Sequence, residues 1–105
     1  MSKKQRRNDE TIRELVRIAE ADDGTHYFDI VNHIAVLFPT ELTEQLQQLV
    51  NCPVYDGDII SKTLRSRLFG MGLARRICCK GQQGYTGAPY VAYSILKKMK
   101  EYGKI

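Results

Sequence analysis

Apolar residues in this chain recur mostly at three- and four-residue intervals, the period of a helix buried along one side. Ile12, Leu15, Val16 and Ala19 form the first such stripe. Its helix is expected to begin near Asn8 or Asp9, with Thr11 and Glu14 at capping-box spacing just inside it. The turn cluster Asp22-Asp23-Gly24-Thr25 ends it. A second helix is predicted from about His26 to Phe38, with Tyr27, Ile30, Val31, Ile34, Ala35 and Phe38 on one face and Pro39 as its stop. Thr40 then serves as an N-cap. Glu41 and Glu44 fall in the first turn of a third helix, where the helix dipole favours acids. Leu42, Leu46, Leu49 and Val50 are its apolar stripe.

The pattern then changes. Asn51 to Asp58 reads as a loop, with Pro53 and the turn signal Asp56-Gly57. Ile59-Ile60 is either a short bridging strand or a pair of core anchors. Ser61 caps a short helix, Lys62 to about Phe69, that turns Leu64 and Leu68-Phe69 inward. Gly70 and Gly72 stop it through a left-handed cap. Leu73 to Cys79 alternates as a strand, Lys80 to Gly84 is a hairpin turn, and Tyr85 to about Val91 returns. Pro89 makes that strand an edge or ends it early. Ala92 to Tyr102 is a last helix facing inward through Ile95, Leu96, Met99 and Tyr102. The predicted class is α+β and mostly helical: three N-terminal helices, a short fourth, a β-hairpin and a C-terminal helix. A flexible basic arm over 1–7 precedes a single domain over 8–105.

Composition narrows the function classes. The 105 residues are 43% hydrophobic and 27% charged, which excludes wholesale disorder. A chain of this length has no room for a two-lobed enzyme with a cleft between domains. The longest uncharged apolar run, Ile34 to Pro39, falls far short of the ~20 residues that span a bilayer. The start, Met1-Ser2-Lys3-Lys4-Gln5-Arg6-Arg7, is basic with no apolar run behind it and does not read as a secretory signal. Cys52, Cys78 and Cys79 are odd in number and two are adjacent, so no disulfide framework is expected, which suits a reducing cytoplasm.

The net charge of +4 hides a segregation. Residues 1–7 carry four cations and no acid; residues 8–60 carry 11 acids against Arg13 and Arg17; residues 61–105 carry ten cations against Glu101. Two readings fit. One face meets a polyanion, with a phosphate backbone the commonest candidate. Otherwise the halves complement one another within the fold or across a dimer.

The run from Ser61 to Arg76, a capped basic helix, a Gly-x-Gly stop and then Leu73-Ala74-Arg75-Arg76 at the start of a hairpin, resembles the recognition helix and wing of winged helix-turn-helix domains. Residues 40 to 105 are covered, with Thr40 to Val50 as the first helix of the pair. The stretch Asn51 to Ile60 departs from the tight turn of about three or four residues usual between such helices. Asp56 to Lys62 and Gly84-Tyr85-Thr86 also look like segments of small phage and prophage proteins. The resemblance implies a transcriptional regulator reading double-stranded DNA with helix 61–70 and wing 73–91. Lys62, Thr63, Arg65 and Ser66 lie opposite Leu64 and Leu68 and would point outward. Arg65 is the candidate for a guanine edge, and Lys62 and Arg67 for phosphate. The helix start at Ser61 offers backbone N–H groups to a phosphate. On the wing, Arg75, Arg76 and Lys80 are candidates for backbone or minor-groove contact, with Gln82 and Gln83 at the tip. Lys3, Lys4, Arg6 and Arg7 would track an adjacent groove. A homodimer through helices 9–38 or 92–102 is expected. The alternative is a phage-type accessory or inhibitory module that docks an acidic protein on the same scaffold.

Other chemistry is weaker. His26, His33 and the three cysteines show no metal-ligand spacing, so neither metal nor cofactor is expected. Cys78 and Cys79 should face opposite sides of a strand, one in the core and one outside, and Cys52 reads as a buried loop anchor. Asp56 and Asp58 are a carboxylate pair, but around Gly57 they more often shape a turn or favour the Ser61 helix by charge. Gly70-Met71-Gly72 lacks the context of a dinucleotide fingerprint, and no enzyme is expected. Tyr85, Tyr90 and Tyr93 either stack unpaired bases or fill the crevice between hairpin and helix.

Overall fold

The computed structural model describes residues 3–55, 57 and 61–105. Asp56, Asp58, Ile59 and Ile60 lie outside the described residues, and so do the expectations attached to them. Among the described residues the fold is α+β, with five helices and one small sheet.

Helix α1 spans Lys3–Ala21 and buries Ile12, Val16 and Ala19. The basic segment expected as an arm is helical from Lys3. Thr11 therefore sits inside the helix, and its hydroxyl donates to the Arg7 carbonyl at 2.9 Å rather than capping a start. A turn follows in which Asp22 Oδ2 accepts from the backbone N–H of Gly24 at 2.8 Å and of His26 at 3.0 Å. That turn aims α2, Tyr27–Leu37, back across α1. Phe38 and Pro39 are extended and end α2. Thr40–Leu42 then make a single 3-10 turn, so Thr40 is not a side-chain cap, and α3 runs Thr43–Asn51.

The segment read as a loop contains a two-residue strand, β1, Val54–Tyr55. Two residues are too few for alternation to show in sequence, and its partner lies thirty positions away. Helix α4, Lys62–Met71, leads into β2, Arg75–Cys79, and β3, Gln82–Gly87. The sheet is antiparallel with order β1-β3-β2. Val54, Thr86 and Arg76 share one row of the register, and Tyr55, Tyr85 and Ile77 the next. Val54 and Thr86 are buried, so that row faces the helices. The hairpin tip is two residues, Lys80 and Gly81, with φ of 53° and 78°. This is tighter than the predicted five-residue turn, and positive φ at both central residues matches the twist of the strands. Helix α5, Tyr90–Glu101, starts two residues before the predicted point because Pro89, extended at φ −73° and ψ 167°, opens it instead of ending a strand.

The core joins all five helices: Ile12 and Val16, Ile34, Leu46, Leu68 and Met71, and Ile95 and Met99 are fully or almost fully buried. Tyr102, predicted to face inward, is about half exposed. Lys104 closes the molecule. Its Nζ donates to the carbonyls of Ala35 at 2.9 Å and Val36 at 2.8 Å, satisfying the open end of α2.

Candidate nucleic-acid interface

Helix α4 is fixed at both ends. The Ser61 side-chain oxygen accepts from the Leu64 backbone N–H at 3.2 Å. At the other end Gly72, at φ 80°, turns the chain, and the Leu73 N–H reaches back to the Leu68 carbonyl at 2.9 Å. The helix thus runs to Met71, two residues past the predicted stop, and Gly70 lies inside it. Burial of Leu68 and Met71 sets its rotation about the axis. Lys62, Thr63, Ser66 and Gly70 come out on the solvent side, with Leu64, Arg65 and Phe69 half-buried at the flanks. Of the residues proposed to face a ligand, Lys62, Thr63 and Ser66 do so. Arg65 is at the edge of that strip, and the Ser61 hydroxyl is engaged by its own helix.

Arg67, expected at a phosphate, is turned into the fold instead. Its side chain is only 13% exposed. Its Nε and Nη2 donate to the Asp9 carboxylate at 3.0 and 3.1 Å, and its Nη1 donates to Glu41 at 3.0 Å. These bonds, with that to Asp9 foremost, raise the guanidinium pKa against the opposing effect of burial. Glu41 is held below the usual glutamate range, first by its own backbone N–H and then by Arg67. Arg67 therefore clamps α4 to α1 and to the 3-10 turn, and does not face a phosphate. The i, i+4 pattern around it held no sign of a partner 58 positions away.

The hairpin cations are arranged by strand alternation. Arg75 pairs with Glu20 of α1, while Arg76, on the opposite side of β2, lies with its guanidinium carbon 5.7 Å from the Phe69 ring centroid of α4. That contact is where helix and hairpin meet. Lys80 stands at the tip, roughly 13 Å further along the strand. Gln82 and Gln83 are exposed but belong to β3, not to the tip. Neither Cys78 nor Cys79 reaches the core, since β2 is an edge strand with most of its side chains exposed. Cys52 is exposed as well, so it anchors no loop.

Sequence reasoning missed what α1 adds. A groove of about 270 Å³ between α1 and α4 is lined by Arg6, Arg13, Ser66, Arg67 and Gly70 together with Asp9 and Glu10. It adjoins a larger one of about 660 Å³ that shares Arg13 and Gly70 and adds Arg17, Phe69 and Arg75. Arg13 and Arg17 were hidden in a segment that is acidic on average. The available signal was positional: Arg6, Arg13 and Arg17 are seven and four residues apart, hence on one side of a helix. Tyr85, Tyr90 and Tyr93 do not converge on the arginines. Tyr85 meets Tyr55 at 5.5 Å on the sheet, whereas Tyr90 and Tyr93 stack on each other on α5.

Among the described residues no three His, Cys, Asp or Glu side chains gather as metal ligands, and no helix is long and apolar enough to cross a membrane. Set against protein-family models, curated proteins and solved structures, the chain matches none.

Proposed function

We propose that this chain is a small, non-catalytic protein that binds double-stranded DNA as a transcriptional regulator. In this reading α3, α4 and the β2–β3 hairpin form a winged helix-turn-helix. The strand β1 between α3 and α4 is a departure from a simple helix pair. One observation carries the reading. A helix with three cations and no acid is capped and rotated so that Lys62, Thr63 and Ser66 face solvent, beside a hairpin that also carries cations and no acid. A helix of that width enters a major groove about 12 Å across. Lys62 and the α1 cations Arg6 and Arg13 meet phosphates, Thr63 and Arg65 approach base edges, and Arg76 and Lys80 lie along the backbone.

A mobility-shift titration over a salt series tests this. Arg65→Ala is expected to reduce preference among sequences. Lys80→Ala is expected to weaken all duplexes alike and to lower the salt slope by about one. Absence of salt-sensitive binding to any duplex would remove the reading. One observation favours the second reading, in which α4 docks an acidic protein. Arg67 and Arg75 are held by internal carboxylates, which leaves fewer cations for a phosphate backbone. Pull-down with nuclease-treated lysate separates the two: a partner that survives nuclease supports the protein reading.

A further inference from the structure

Four aromatic rings gather where the N-terminus of α2 meets that of α5. Tyr27 and Tyr90 stack with centroids 6.5 Å apart, Tyr90 and Tyr93 at 6.2 Å, and Phe28 meets Tyr27 edge-on at 5.5 Å. The Tyr27 hydroxyl is anchored to the Ser94 hydroxyl at 2.7 Å. The other three rings point outward: Phe28 is 67% exposed, Tyr90 75% and Tyr93 56%. Covering an aromatic side chain removes a large apolar area from water, and monomeric proteins seldom leave such a contiguous patch open.

The ridge made by Tyr90 and Tyr93 separates two grooves of opposite charge. One, of about 500 Å³, is lined by Asp22 and Asp23 beside Tyr27 and Tyr90, with Glu20 at its wall already paired to Arg75. The other, of about 310 Å³, is lined by Tyr93, Lys97 and Lys100 with Gln47 and Asn51 of α3. Tyr90, Tyr93, Lys97 and Lys100 are all exposed and follow one another at three- and four-residue spacing. They make a single stripe with rings at its N-terminal end and ammonium groups at its C-terminal end.

We infer that this stripe of α5 is a self-association surface whose occupant is a second copy of the chain, related by a twofold axis over the tyrosine ridge. In a twofold contact, whatever lies on one side of the axis meets what lies on the other side in the partner. The acidic groove of one copy then faces the lysines of the other, twice, and each lysine pair approaches the other copy's rings. A face of one sign would repel its own copy; a face with acids on one side of its apolar ridge and bases on the other attracts it. That charge complementarity selects a second copy over a foreign partner. The surface is separate from the exposed strip of α4, so dimer formation and duplex binding stand or fall independently.

Sedimentation velocity on the nuclease-treated 105-residue chain, across protein and salt concentration, tests the inference. The wild type is expected to form a dimer that weakens with salt. Tyr90→Ala/Tyr93→Ala and Lys97→Glu/Lys100→Glu are each expected to raise the dimer dissociation constant at least ~10-fold. All four side chains are exposed, and circular dichroism melting checks that each variant remains folded. A wild type that stays monomeric throughout would overturn the inference and leave the face to a foreign partner. So would either folded double variant dimerising as tightly as the wild type.

Discussion

Arg67 shows at the scale of one residue how a basic sequence position becomes a structural element. Its guanidinium makes three bonds to two carboxylates from distant parts of the chain, with little solvent to screen them. Removing it strands the half-buried Asp9 carboxylate, so Arg67→Met is expected to lower unfolding free energy by about 3 kcal/mol, read from urea midpoints. The same cluster gives a pH dependence. The folded Glu41 carboxyl lies below its unfolded value, so its contribution is intact above about 4.5 and is lost as pH falls through the folded pKa. Arg67→Met should shrink the fall in stability on acidification. Gly70 is the opposite case. It occupies the last turn of α4, one residue before Met71, and a Cβ there would meet nothing within 4 Å. Ala in its place should stabilise the helix by about 0.5 kcal/mol, seen as a higher melting temperature. Because Gly70 lines both α1–α4 grooves, the methyl group is also expected to weaken duplex binding by closing the approach to the backbone. A stabilised variant of unchanged affinity would take Gly70 out of the interface.

Among the elements, what local chemistry specifies was legible. The apolar stripes of α1, α2, α3 and α5, the Ser61 cap and the glycine stop of α4 follow from spacing and capping alone. What depends on a distant partner was not. β1 exists because Val54 and Tyr55 pair with Thr86 and Tyr85, and the N-terminal turns of α1 lack the first-turn acids that mark a helix start. Lys104 likewise caps a helix that ends 67 positions earlier in the sequence, at Leu37. Lys104→Ala is expected to cost about 1 kcal/mol, since two carbonyls lose a charged donor, with hydrogen exchange rising first at the end of α2.

Across the whole molecule, the charge division seen in sequence is partly answered inside the fold and partly displayed. Arg67 and Arg75 answer Asp9, Glu41 and Glu20, joining the basic C-terminal half to the acidic middle. Lys62 and Lys80 remain exposed on α4 and the hairpin, and Arg6 and Arg13 line the groove beside α4. Averages over segments had to miss this, because partners are chosen in three dimensions and not along the chain. Titration of a short duplex into isotopically labelled protein, followed by amide resonances, maps where a nucleic acid lands. Shifts should concentrate at Lys62 to Ser66, Gly70, Arg76 and Lys80-Gly81, and fade as salt is raised. Shifts confined to α2 and α5, or none at duplex concentrations that saturate ordinary nonspecific binders, would contradict a duplex seated on α4.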